Sequence, residues 1–288
     1  MNARPLHQLF DAMYHGKYRF EEFLELKPEE HYSRVEWKSR TIHKPSKKLK
    51  TFHSFLNGFL IEHLPVNQSA SFAYRKGATL MQAVVPHARS RAFYQTDLVR
   101  FFDSITSALI RPALLSAVTP VSDLTEHIDH ILSLLTINGK LPIGYSTSPM
   151  LSNACLLGFD ERMEGISKLR CWKYTRYADD IIISGDNRQS IESASGVIEI
   201  CLKEELGDGF ALNLRKSKLT TIGRKVKLLG LVILPNGALA IDRDIRNRIE
   251  SWIHFYVRDR SRLAKIFEEE RGEGMEEGLQ RLSGLVSY

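Results

Sequence analysis

Three aspartates carry the chemistry that this sequence suggests. Asp179 and Asp180 are adjacent in Tyr177-Ala178-Asp179-Asp180, and Asp97 ends the short aromatic run Phe93-Tyr94-Gln95-Thr96-Asp97. Carboxylate oxygens are the ligands that hard divalent cations such as Mg²⁺ select. Carboxylates drawn from separate strands could hold two such ions about 3.5–4 Å apart, the spacing that activates an attacking hydroxyl and stabilises a leaving phosphate in nucleotidyl transfer. Each residue has a bland alternative: Asp-Asp is an ordinary turn dipeptide, and Asp97 could be a solvated strand end. The surrounding elements must decide.

Cys171 to Tyr177 and Ile181 to Ser184 are rich in aromatic and β-branched residues, so two strands are expected with the Asp pair at their turn. Phe93 to Asp97 reads as a third strand. Between the two acidic sites, Leu141 to Asn153 is a Pro/Gly/Ser loop leading into a helix, with Ser148 as N-cap and Pro149 as first helical residue. Gly144 in that loop would let backbone approach a base or nucleotide closely. A helix is expected from Asn187, its cap, to Leu206, with Ile191, Ala194, Ile198 and Cys201 inward and Gly207-Asp208-Gly209 as its stop. Pro235-Asn236-Gly237 reads as the turn of a hairpin within Lys227 to Ile241. Residues up to Leu26 look helical, and Leu109 to Asn138 forms a helical insert with Leu124, Ile128, Ile131 and Leu135 on one face and Ser122 as a cap. From Asp242 a helix carries the stripe Ile245, Ile249, Trp252, Ile253 and Tyr256, flanked by Arg246 and further arginines. Alternation of strand, helix and hairpin indicates an α+β fold.

The ordered set of Asp97, the Gly144 to Pro149 loop, Tyr177-Ala178-Asp179-Asp180 and Asn213-Leu214-Arg215-Lys216-Ser217 resembles the bacterial reverse transcriptases of the retron and group II intron lineage, over about Arg40 to Ile241. The resemblance implies a right-hand polymerase. N-terminal helices and fingers would occupy 1–96, a palm of antiparallel sheet backed by helices 97–241 with a fingers insert at about 109–140, and a short helical thumb 242–288. It implies RNA-directed DNA synthesis, with Asp97, Asp179, Asp180 and the carbonyl of Leu98 holding two Mg²⁺, or Mn²⁺ in their place. Phe102 resembles the steric gate against a ribose 2′-hydroxyl, and Lys216 resembles the lysine that approaches the leaving pyrophosphate; a solvated surface lysine is its competing reading. Arg40 in Arg40-Thr41-Ile42 matches a fingers arginine that grips the triphosphate, with Lys38 the second choice and Arg75 of Tyr74-Arg75-Lys76-Gly77 a further nucleotide contact. Gly144 falls in the nucleotide-facing loop, and Tyr177, Ser148 and Arg246 are the expected nucleic-acid contacts. Partners implied are an RNA template, an RNA or DNA primer, deoxynucleotides, a structured non-coding RNA, and an effector protein or a second copy, in antiphage defence.

The chain departs from the lineage at Ala83-Val84-Val85-Pro86-His87, where relatives carry Asn-Ala-x-x-His, at Leu228-Leu229-Gly230 in place of Val-Thr-Gly, and at Ile143, where relatives carry Gln. Its end resembles the start of a thumb helix, so either low processivity or a clamp completed by a partner protein, an RNA or another subunit is expected. A net charge of +6 favours a polyanionic partner, though many basic proteins bind none. Cys155, Cys171 and Cys201 are too scattered for a zinc site or disulfide framework and read as buried thiols. The absence of a signal-like or membrane-length apolar run points to the cytoplasm. An RNA-binding scaffold of faded activity and an RNA-dependent RNA polymerase remain as alternatives.

Overall fold

The computed structural model describes residues 3–37, 40–223 and 225–286. Aromatic packing organises its beginning. Helices α1 (Leu6–Tyr14) and α2 (Phe20–Leu24) place Phe10 and Phe23 against Phe52 and Phe55, all four fully buried. Their ring centroids lie 5.1–5.8 Å apart, the range in which tilted and edge-to-face rings attract. The exposed hairpin of β1 (Tyr32–Trp37) and β2 (Arg40–Pro45) then leads into α3 (Lys47–Phe59), whose first turn is capped by Ser46 Oγ accepting from the Leu49 amide at 3.3 Å. Helix α4 (Leu80–Val84) starts with a capping box between Thr79 and Gln82.

β3 (Ala92–Asp97) follows, then α5 (Phe101–Ser104), α6 (Ser107–Ser116), α7 (Leu124–Leu135), α8 (Ser148–Cys155) and α9 (Leu157–Leu169). β4 (Lys173–Tyr177) and β5 (Asp180–Gly185) form the expected hairpin, followed by α10 (Arg188–Glu192), α11 (Ala194–Leu206) and β6 (Lys218–Thr221). These strands make one antiparallel sheet in the order β4-β5-β3-β6. Alternation assigns its faces: Tyr94, Ile181 and Ile183 turn to the main core, whereas Phe93 and Ile182 turn to a second cluster. That second cluster is closed by β7 (Val226–Leu228), β8 (Leu231–Ile233) and β9 (Leu239–Ile241), a three-stranded sheet laid on the other face. The turn between β8 and β9 holds Pro235-Asn236-Gly237 as expected, with the Leu234 amide donating to the Ala238 carbonyl. Helices α12 (Arg243–Arg258), α13 (Arg260–Arg271) and α14 (Met275–Val286) share a separate core of Trp252, Leu263, Phe267 and Leu282.

Several local expectations are corrected. The helix expected from Asn187 to Leu206 breaks at Ser193, whose hydroxyl donates to the Ser190 carbonyl at 2.8 Å and competes with helical bonding. Ser122 does not cap α7. Asp123 stands at that cap, and its carboxylate accepts from the Leu6 amide at 2.8 Å instead. Ser148 is not the N-cap of α8 but its first residue, preceded by Thr147 at the cap. The stripe on α12 is half core and half surface, since Trp252 is buried while Ile253 and Tyr256 are exposed. Cys171 is exposed rather than buried. Among the described residues, no helix is long and apolar enough to cross a membrane.

Candidate active site

A two-residue turn creates the site. Tyr177 pairs with Asp180, so Ala178 and Asp179 alone connect β4 to β5, and Ala178 adopts φ 57°, a left-handed conformation that costs a residue with a Cβ. The β3–β5 register then sets Asp97 directly opposite Asp180 on one face of the sheet. Asp179 is anchored from the neighbouring strand by the Leu98 amide, which donates to its carbonyl at 3.1 Å.

The segment after α11 delivers the lysine. The Asn213 amide donates to the Asp97 carbonyl at 2.8 Å, and the Asn213 carbonyl accepts from the amides of Lys216 and Ser217. Ser217 Oγ lies 2.8 Å from Thr96 Oγ1. These bonds bring Lys216 Nζ to 2.6 Å from Asp97 Oδ2, which Asn213 Nδ2 also approaches at 3.4 Å. Asp97 Oδ1 is buried with no hydrogen-bond partner among the described residues.

Negative charge is concentrated here. Burial, then the charges of Asp179 and Asp97, push the Asp180 carboxyl up to about 6 against the opposing pull of Lys216. Burial also raises Asp179, with Asp97 adding to it and Arg40 and Lys216 opposing. The bond to Asp97 raises Lys216 and keeps its ammonium charged. Among the described residues, no three His, Cys, Asp or Glu side chains are drawn tightly enough to enclose a cation as they stand. The donor set still fits a hard divalent ion: an unpartnered buried carboxylate oxygen and a carboxyl held above its ordinary range both call for further positive charge.

In front of the turn lies a cleft of about 770 Å³. Asp97, Leu98, Asp179 and Lys216 line it, facing Arg34, Arg40 and His43 of the β1–β2 hairpin. Phe102 and Tyr74 form part of its wall, with ring centroids 6.5 Å apart. Arg40 is therefore on the expected surface; Lys38 lies outside the described residues.

Other expected contacts are placed elsewhere. The Arg75 guanidinium is turned away to the carbonyls of Gln68 and Ser71. Gly144, at φ 107°, is demanded by the His43 carbonyl, against which any Cβ would collide, and the neighbouring Ile143 carbonyl accepts from the His43 amide at 2.8 Å. Its role there is to let the loop meet β2. Ser148 is buried, its hydroxyl donating to the Pro142 carbonyl at 2.8 Å, which withdraws it from nucleic acid. Tyr177 is half-buried beside the turn, and Arg246 is exposed on α12, paired with Glu250 at 3.5 Å. Sequence reasoning did not single out Tyr74, or Arg176 and Asp160 behind the turn; the one available signal was that Arg176 lies next to the motif.

The sequence matches the reverse transcriptase (RNA-dependent DNA polymerase) family across residues 28–233. It is 30% identical over 264 residues to the retron Ec73 reverse transcriptase of Escherichia coli, covering 86% of this chain and 78% of that protein. The chain belongs to the reverse transcriptase family, in its retron group. The chain is also 28% identical over 263 residues to the retron Mx65 reverse transcriptase of Myxococcus xanthus, covering 86% of the chain but 57% of that longer relative. In fold it is similar to Candida albicans telomerase, with TM-score 0.52, 9% identity, and coverage of 87% of this chain and 54% of that one. The architecture is that of an α+β right-hand polymerase.

Proposed function

We propose that this reverse transcriptase copies RNA into DNA by two-metal nucleotidyl transfer at Asp97, Asp179 and Asp180. The observation that carries the reading is that Asp97, paired in register with Asp180, and Asp179 on the strained turn line a cleft whose opposite wall is basic. Asp97, Asp179, Asp180 and the Leu98 carbonyl would hold Mg²⁺ or Mn²⁺, which when bound lowers the pKa of a primer 3′-hydroxyl and neutralises the triphosphate.

The chain's own residues divide the remaining work. Arg40 and Arg34 attract and orient the triphosphate from the hairpin. Phe102, with Tyr74 beside it, closes the sugar side and disfavours a 2′-hydroxyl. As the 3′-oxygen bonds to the α-phosphorus and the bridging oxygen departs with pyrophosphate, Lys216 leaves Asp97 and gives that oxygen a proton or its charge. Fingers would occupy 1–96, palm 97–241 and thumb 242–288, with Tyr177 and Arg246 touching template or primer. A structured non-coding RNA as template, an effector partner and an antiphage role belong to the same proposal.

The test is extension of a primed RNA template with labelled deoxynucleotides by the parent protein and by Asp179→Asn. Equal incorporation by the two would remove the assigned site. Offering ribonucleotides to the parent and to Phe102→Ala separates RNA synthesis from DNA synthesis: the parent is expected to reject them and the variant to accept them at least about tenfold better.

A further inference from the structure

Arg176 directly precedes Tyr177 but points to the opposite face of the sheet from Asp180, since its register partner Ile181 turns to the main core. It is fully buried, and so is its partner Asp160 on α9. Placing a guanidinium there is costly unless every donor is used. All five are. Nε and Nη2 grip the two oxygens of Asp160 at 2.8 and 2.6 Å; Nη1 donates to Asn153 Oδ1 at 3.1 Å and to the Ala178 carbonyl at 2.9 Å; Nη2 also donates to Ser71 Oγ at 3.1 Å. Tyr174 adds a bond to Asp160 Oδ1 at 2.6 Å.

Two features of this network go beyond holding the core together. One donor is spent on the carbonyl of Ala178, the strained residue from which the metal turn hangs. The rest of the fork reaches the wall of the cleft. Asn153 Nδ2 donates to the Ala73 carbonyl at 2.7 Å, Ser71 Oγ donates to Asn153 Oδ1 at 3.0 Å, and the backbones of Arg176 and of residues 70–72 exchange two further bonds. Ala73 is followed by Tyr74, which lines the cleft. One guanidinium thus sets the metal turn and the Tyr74 wall relative to each other.

We propose that Arg176, held by Asp160, is a positioning residue that keeps Asp179 and Asp180 in a metal-binding geometry through the Ala178 carbonyl. The inference rests on the two-metal reading above. An apolar pair can replace a buried ion pair with little loss of stability, but it cannot donate to Ala178, so folding and metal binding separate in the double variant Asp160→Leu/Arg176→Met. That exchange removes one charge of each sign, and because the cation lost is the one bonded to the turn, its electrostatic effect would favour cation binding; a weakening is therefore geometric.

The experiment is Mn²⁺ titration of the full chain, followed by electron paramagnetic resonance without nucleic acid, alongside thermal unfolding. The double variant is expected to unfold within a few degrees of the parent yet bind Mn²⁺ roughly 10–100-fold more weakly, the cost seen when support behind metal ligands is removed. Parental Mn²⁺ affinity in a folded double variant would overturn the proposal and leave the pair as scaffolding. If the double variant does not fold, Arg176→Lys decides: it keeps a cation against Asp160, its three donors cannot reproduce the five bonds, and parental affinity there is equally fatal. Asp179→Asn is the control. If the parent and Asp179→Asn bind Mn²⁺ alike, the two-metal reading itself has failed rather than this inference.

Discussion

The pairs Asp160–Arg176 and Asp97–Lys216 serve the same hairpin from opposite faces of one sheet, at almost the same separation of 2.6 Å. Behind the sheet both side chains are fully buried; in front, Lys216 is 65% exposed and Asp97 11%. The rear pair has every donor engaged and cannot rearrange without orphaning a charge. The front pair is a single contact to a solvated ammonium, the sort worth about 0–1 kcal/mol. Lys216 can therefore let go of Asp97 when a better anion arrives, whereas Arg176 cannot let go of anything. The proposed reaction would use both: a rigid support where geometry matters, and an exchangeable cation where charge changes.

The largest effects expected on this comparison come from the front carboxylates. Asp97→Asn or Asp179→Asn should lower primer extension by about 10³-fold or more, as loss of several kcal/mol of metal assistance demands, while thermal unfolding stays near that of the parent. Behind the sheet the balance reverses. Asp160→Leu alone leaves the Arg176 charge buried and unpaired, so urea denaturation should register a loss of about 3–5 kcal/mol, largely recovered when Arg176→Met is added. If the single variant is as stable as the parent, the rear pair is not the closed system described.

Lys216→Ala should be milder. Extension should fall by about 100-fold, as for loss of a proton donor, with stability changed by no more than about 1 kcal/mol because the Lys216 ammonium is largely solvated. A stability loss as large as that of Asp160→Leu would erase the distinction between the two faces.

The smallest effect is a pH dependence. His87 packs under the carboxylate-bearing face, with Nε2 at 2.8 Å from Thr175 Oγ1 and Nδ1 at 2.7 Å from Ser184 Oγ. The Thr175 proton goes to the Ala83 carbonyl, so Nε2–H donates to Thr175 Oγ1. Burial pushes this imidazole down to about 3. A histidine depressed on folding contributes stability that is present above about pH 6.5 and is lost as pH falls toward the folded value, about 2 kcal/mol by pH 5. Buried His53, lowered to about 4, acts in the same direction. Asp180, raised to about 6, opposes both, because the folded state favours its protonated form. Unfolding temperature should fall from pH 7 to pH 5, less in His87→Gln and more in Asp180→Asn.

Much of the front face was legible in the residues. Tyr177 to Asp180 between two β-rich runs and Asp97 closing an aromatic strand are local patterns, and local patterns survive without coordinates; Lys216 was reached only through the resemblance. The errors fall where a residue's partner lies outside the motif that suggested its role. Ser148 looked like a cap because Ser-Pro begins helices, but a carbonyl six positions back takes its hydroxyl. Gly144 looked like room for a nucleotide, and the room is taken by the His43 carbonyl. Arg75 was expected at the nucleotide from its resemblance to a fingers motif, yet the carbonyls of its own loop claim it.

The sequence by itself determined the chemistry on offer: which residues are carboxylates, which strands flank them, and in what order the motifs arrive. Only the tertiary structure decided which charges could be exchanged and which could not. Arg176 reads from its neighbours as one more polar strand residue. Its role follows from burial beside Asp160 and from Ser71, 105 positions away. Desolvation makes that arginine immovable, and desolvation depends on everything packed around a group, not on the residues beside it in the chain.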